Sequence, residues 1–237
     1  MTDIFAATTS LLPTSTTIPT VSINLGNTLS KPSESLVVVL LLTLLSVAPA
    51  MLIMMTSFVR IIIVLSITKN ALGLSTVPPS QVLSGLALFL TFFIMAPTFH
   101  KVDQVAITPY LNGSISAVQA YDKAQTPMKQ WMLKQTRTPE LALFVQVTKQ
   151  HPATPQDISM TALVPAFALS ELKSAFIIGF VIYIPFMIVD LVIASVLMSM
   201  GMMMIPPTLI SLPFKILLFV LVDGWTLVAH ALITSYA

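Results

Sequence analysis

Arg60, Glu171, Lys173, Asp190, Lys215 and Asp223 all lie inside or at the edges of long apolar stretches. A charge at mid-bilayer depth costs about 2.5–3.5 kcal/mol, so such groups pair, line a wet path, or do not face lipid at all. Glu171 opens the third apolar segment and Lys215 lies near the start of the fourth, so a helical hairpin brings opposite charges to similar depth. The expectation is an ion pair between neighbouring subunits, Glu171 to Lys215, that fixes register; the alternative is that each side chain snorkels to an interface. Lys215 and Asp223 are about two helical turns apart and His230 stands about two turns further on. That stripe is either a proton path or a packed polar seam. Arg60, Asp190 and Asp223 are expected in buried polar packing, with Arg60, one turn after Thr56, bonding hydroxyls or carbonyls of a neighbouring helix. Ser195 and Ser199 form a small-xxx-small pair that lets helices approach closely.

Covalent chemistry has little support. The chain contains no Gly-rich phosphate loop, no HExxH pair and no Gly-x-Ser-x-Gly elbow. His100, His151 and His230 are widely spaced, without carboxylates in ligand register, and the absence of cysteine excludes disulfides and thiolate metal sites. The expectation is a protein that is not an enzyme and needs no cofactor or metal. The competing class is a secondary transporter or ion channel with Asp190, Asp223 or Lys215 on the ion path. Transporters usually carry inverted repeats, and none is visible here.

Met198, Met200, Met202, Met203 and Met204 crowd around Gly201. Methionine is unbranched and polarizable and adapts to irregular gaps. Such a cluster either fills a core or, repeated in several subunits, closes around nothing or around a passing chain.

The elements that carry these residues follow from composition. Hydrophobic residues make up 56% of the 237, charged residues only 8%, and the net charge is +2. A soluble domain carries about a quarter charged residues, so this apolar surface must meet lipid, partner subunits, or both. The small net charge offers no basic field for nucleic acid. Four apolar segments run from Leu36 to Ile67, Gln81 to Met95, Leu172 to Met204 and Leu209 to Ile233. Pro49 is expected to kink or split the first, and Pro97 to stop the second. Gly201 and Pro206-Pro207 turn the third into the fourth as a hairpin.

These segments define four regions: a flexible Thr-, Ser- and Pro-rich segment 1–35, an apolar hairpin 36–97, a polar insert 98–170 and a second apolar hairpin 171–237 with its Met-rich tip. The insert contains Thr126-Pro127, Thr138-Pro139 and Thr154-Pro155. Thr as N-cap followed by Pro at N1 starts a helix, so several short helices are expected there. Leu141, Phe144, Val145 and Thr148 recur at helical spacing and give a face that packs on its own protein. The fold class is all-α: membrane-associated hairpins with kinked long helices and a small helical insert.

Several long runs resemble the FliP family of flagellar and type III secretion systems. They include the stretch from Pro49 through Arg60 to Ser66, Lys69-Asn70-Ala71-Leu72-Gly73, Pro78-Pro79-Ser80-Gln81-Val82 and the run from Gly85 to Met95. In the second half they are Ser170-Glu171-Leu172-Lys173-Ser174-Ala175-Phe176, Pro185-Phe186, the run from Asp190 to Met204, Ser211-Leu212-Pro213-Phe214-Lys215 and Val222-Asp223-Gly224-Trp225. About three quarters of the chain is covered, in family order, and the flagellar form fits better than the SctR-like injectisome form.

The resemblance implies a non-enzymatic core subunit of the flagellar export gate, winding as a pentamer with FliQ-like and FliR-like subunits into a right-handed spiral. FlhB-like and FlhA-like components, unfolded exported proteins and membrane lipid are the further partners it implies. It places a pore gasket on Met202, Met203 and Met204. It also places the gate in the bacterial inner membrane at the flagellar basal body, much of it on the periplasmic side. The insert and both termini would be periplasmic and Lys69 in a cytoplasmic-side turn.

Overall fold

The computed structural model describes residues 32–202 and 204–236. The expected flexible segment lies outside the described residues as far as position 31, and its last four residues are already helical. The chain divides into two compact units, Met1–Val47 and Ala48–Ala237. Of the first, residues 32–47 are described and form the opening part of helix α1 (Pro32–Met54). Everything below concerns the second unit.

All its regular elements are helical among the described residues. The first apolar segment does split, but at Met55–Ser57 and not at Pro49, which sits inside α1. Helix α2 (Phe58–Ala71) ends where Gly73 takes a positive φ of 77°, and Pro79 then caps α3 (Ser80–Val102). Pro97 does not stop α3. Proline removes one backbone donor from the ladder, and the apolar packing of Ile94, Met95 and Thr98 on either side holds the helix together across that gap. A π-helical stretch, Asp103–Ile107, and the short α4 (Thr108–Leu111) prolong the run to 32 residues, Ser80–Leu111.

The insert follows the expected Thr cap and Pro first turn at only one of its three Thr-Pro pairs, Thr154-Pro155. Helix α5 (Ala117–Gln135) begins at a reciprocal capping box between Ser116 and Gln119, which leaves Thr126-Pro127 in the helix interior with Pro127 buried. Thr138-Pro139 opens α6 (Thr138–Val147) one residue early, with Arg137 as its cap, and Thr154 and Asp157 cap a single 3-10 turn, Pro155–Asp157. Leu141, Phe144 and Val145 pack on the buried cluster of Met132, Ile158, Ala162, Leu163 and Phe167. The insert therefore rests on its own protein.

Helix α7 (Met160–Ser199) is continuous for 40 residues, about 60 Å, and runs straight through the expected boundary at 170/171. Its first turns belong to the insert's core, and its middle packs against α2. The approach is close at Gly179: a Cβ there would lie 2.5 Å from Ile67 Cδ1. Helices α8 (Pro207–Leu221) and α9 (Gly224–Thr234) meet at 62°. One core joins α2, α3, α7 and α9 through Ile61, Leu65, Leu83, Ala87, Ala175 and Leu232.

Ser80–Leu111 and Met160–Ser199 are long and apolar enough to cross a membrane, and the bent pair α8 and α9 is a third candidate if it counts as one span. Their outward faces are strongly exposed, with Phe89, Phe180, Val181, Leu191, Val220 and Leu221 uncovered.

Candidate functional site

Among the described residues there are three ion pairs: Lys173 of α7 meets Glu140 of α6 at the surface (2.9 Å), and two more sit deeper, at different heights in the helical framework. At the upper one, Arg60 on α2 meets Glu171 on α7 as a fork: Nε donates to Oε2 at 2.9 Å and Nη2 to Oε1 at 2.5 Å. Nη1 donates to the Ser235 carbonyl (3.2 Å) and hydroxyl (3.0 Å), which ties down the C-terminal end of the last helix. The Tyr236 hydroxyl donates to Glu171 Oε2 at 2.6 Å and lies 3.3 Å from the Ser57 carbonyl. The Arg60 guanidinium carbon stands 3.9 Å over the Tyr236 ring, and Trp131 of α5 stacks on that ring with 5.4 Å between centroids.

Glu171 is fully buried and Arg60 nearly so. Burial, with the Glu171 charge beside it, pushes the Tyr236 phenol above its ordinary range, so it stays protonated and acts as a donor. A buried pair is a net gain only when its remaining hydrogen-bonding capacity is used, as the Ser235 and Tyr236 contacts do here.

Lower down, Lys215 of α8 donates to Asp190 Oδ2 of α7 at 2.6 Å and to the Ala71 carbonyl at the end of α2, 3.3 Å away. Ser211 donates to the other Asp190 oxygen at 2.5 Å. Lys215 is buried and Asp190 partly exposed. The two charges expected to pair with one another, Glu171 and Lys215, thus each have a different partner within the chain. The reason is depth: the long α7 carries Glu171 well before Asp190, and only Asp190 reaches the level of Lys215 across the hairpin.

The expected stripe of Lys215, Asp223 and His230 does not form. Asp223 takes the left-handed conformation (φ 51°) at the bend between α8 and α9, is exposed, and is no part of buried polar packing; His230 is exposed on α9. Ser195 and Ser199 are exposed too, their hydroxyls turned back to the Leu191 and Val196 carbonyls at 2.8 and 2.7 Å. Tyr236 and Trp131 were not expected at the site, because nothing in the spacing of a terminal aromatic ties it to a residue 65 or more positions away.

Beyond the Lys215–Asp190 pair, on the side away from Glu171, α7 ends in a loop that turns at Gly201 (φ 72°), where Gly201 N–H bonds the Met198 carbonyl and Met202 N–H the Leu197 carbonyl. Leu197 is buried and anchors this end. Met198, Met200 and Met204 project outward, Met204 at 95% exposure, and Met202 is exposed as well. Met203, the middle of the expected gasket, lies outside the described residues. The outcome is an exposed, sulfur-rich tip at the end of the hairpin. Among the described residues no three His, Asp or Glu side chains converge as a metal-ligand set.

The order of helices, the hairpin and its tip run through a region that a single family model matches: the FliP family, over residues 41–232. The chain belongs to the FliP family. It is 58% identical over 205 residues to flagellar biosynthetic protein FliP of Bacillus subtilis (strain 168), covering 86% of this chain and 93% of that one. Against the protein of the same name from Caulobacter vibrioides it is 49% identical over 217 residues, 91% of this chain and 82% of the relative. Against that of Aquifex aeolicus it is 46% identical over 222 residues, 92% of each. The FliP match takes in all three ion pairs and the methionine tip, while Ser235 and Tyr236 lie beyond its end. Apolar helices of this length fit a membrane-embedded FliP protein of the flagellum.

Proposed function

We propose that this chain is a non-enzymatic core subunit of the flagellar type III protein-export gate, supplying the wall and closure of the channel that unfolded flagellar proteins traverse. The observation that carries this reading is the exposed methionine tip, held at the end of a hairpin that the Lys215–Asp190 pair locks to α2. Methionines from several copies, converging there, form a gasket of Met202, Met203 and Met204 that yields to a chain and shuts behind it. The exposed apolar faces of α7 and α8 support association with further copies, five by family likeness, and with FliQ-like and FliR-like subunits, then with FlhB-like and FlhA-like components. Ser195 and Ser199, exposed on α7, suit a close helix contact in that assembly. The assembly belongs in the inner membrane at the basal body, with much of it on the periplasmic side.

A transporter or channel subunit with Asp190 and Lys215 on an ion path is less well supported. Lys215 is buried and engaged by both Asp190 and the Ala71 carbonyl, and Asp223 stands away at the bend. Replacing Met202, Met203 and Met204 together with Ala tests the gate reading. The assembled complex is expected to keep its subunit composition and to leak small ions in planar-bilayer recordings; unchanged conductance with intact assembly speaks against a gasket.

A further inference from the structure

A small polar groove of about 280 Å³ lies between the last turns of α2 and the first turn of α3. Lys69 lines it together with Ser66, Asn70, Ser80 and Ser84, and no Asp or Glu does. Lys69 is only 9% exposed, yet its ammonium makes no salt bridge and no side-chain hydrogen bond among the described residues. A cation so covered needs an acceptor, and the groove itself offers it only neutral groups. Pro79 caps α3 without a side-chain bond, so the first-turn N–H groups add the positive end of a 23-residue helix to the field. The groove thus presents a carboxylate with one cation and several donors.

The chain contains a carboxylate that fits. Among the acidic residues of the second unit, Glu140, Glu171 and Asp190 are in salt bridges, and Asp103 and Asp157 accept from threonine hydroxyls. Asp122 and Asp223 remain. Asp122 lies on α5, which borders α3 from Phe93 onward, about 13 residues or roughly 20 Å beyond Ser80. Asp223 stands at the right level. A second cavity, of about 520 Å³, is lined both by Leu74, Val77 and Pro78 of the α2–α3 turn and by Ile216, Val220 and Trp225 around the α8–α9 bend. From α3 that cavity takes Val82 and Leu86, whereas the groove takes Ser80 and Ser84, and only Leu83 is common to both. The bend and the groove therefore flank α3 on different sides at one level. Asp223 is exposed there in the left-handed conformation, which Asp tolerates better than most residues, and its carboxylate does not cap α9.

We propose that the Lys69 groove of one copy receives the Asp223 carboxylate of the next copy. The Ser80 and Ser84 hydroxyls and the Asn70 amide supply further donors. Groove and carboxylate are different patches of the same chain, so the contact is head-to-tail, and its repetition closes a ring or winds a spiral. The inference rests on the reading that several copies assemble in the gate, and adds to it a contact that sets their register.

The chain has no cysteine, so engineered cysteines report on this contact alone. Gln81→Cys beside the groove and Val222→Cys beside the carboxylate, both at exposed positions, leave the two charges in place. The full chain is extracted with its co-assembled subunits, its copy number is measured by light scattering, and a short bismaleimide is added. The double cysteine variant is expected to give a ladder of covalent dimers and higher oligomers, and each single variant only monomer. Adding Lys69→Gln or Asp223→Asn is expected to lower the crosslinked fraction about tenfold, while Lys69→Arg keeps it. Neither neutral variant breaks a contact within the chain, so circular dichroism and Tm are expected to match the parent. No ladder from a complex that holds several copies overturns this contact and leaves the gate reading standing; a complex with a single copy overturns both. A ladder undiminished by Lys69→Gln or by Asp223→Asn, or crosslinking confined within single chains, also overturns the contact.

Discussion

Removing the Glu171 charge alone leaves the Arg60 guanidinium buried with no carboxylate to neutralise it, its acceptors reduced to the Ser235 oxygens and one neutral amide oxygen. Breaking one side of a buried pair typically costs about 3–5 kcal/mol, so Glu171→Gln is expected to lower the Tm of the detergent-purified protein sharply. Combining Arg60→Met with Glu171→Leu removes both charges and is expected to regain most of that loss, because well-packed apolar pairs replace buried ion pairs at little cost. A double variant no more stable than Glu171→Gln contradicts the pairing. Tyr236→Phe is the milder change. It keeps the stack on Trp131 and the cation over the ring while deleting a hydrogen bond to a charged acceptor, for an expected loss of about 1.5–3 kcal/mol. Thermal unfolding of Tyr236→Phe indistinguishable from the parent chain shows that the hydroxyl contributes nothing. The need of Arg60 and Glu171 for partners was legible in the sequence, since a charge in so apolar a setting cannot stand alone. Which partner each takes was not, because 111 residues separate them and only the path of α7 brings them together.

At the scale of elements, the close approach of α2 and α7 depends on the missing side chain at Gly179. Any Cβ there must push Ile67 aside, with three Ile67 side-chain atoms within 3.2 Å of it. Gly179→Val is expected to destabilise by about 1–3 kcal/mol through overpacking. Ile67→Ala in the same chain is expected to restore much of that loss, read from the midpoint of thermal unfolding. Failure of Ile67→Ala to restore anything locates the damage elsewhere. Helix positions were largely readable from apolar runs, and the turn at Gly201 and Pro206-Pro207 from its residue types. Prolines misled where neighbours compensated. Pro97 and Pro127 each lose one rung, and the surrounding turns, packed on Met95 and Met132, hold the helix through the gap. The bend at Asp223 was signalled only by the turn pair Asp223-Gly224, which lies inside one continuous apolar run and so was read as part of a single segment.

For the whole molecule, the distribution of charge and exposure fixes what kind of object it can be. The Arg60–Glu171 pair and Lys215 are buried, while large apolar side chains cover the outside of α3, α7 and α8. Such a surface is stable only when something apolar covers it, and lipid or protein can do so. The exposed methionine tip and the exposed Ser195 and Ser199 argue for protein over part of it. Composition alone made that need legible, but not the division between lipid and partner, which depends on helix orientation. The most direct measurement is the mass and detergent distribution of the complex extracted from membranes with the FliQ-like and FliR-like subunits proposed as its partners, by single-particle imaging and light scattering. A hetero-oligomer containing several copies of this chain, with detergent confined to one belt and α7 faces in contact between copies, is the expected result. A stable, functional monomer encircled by detergent along the whole length of α3 and α7 contradicts it.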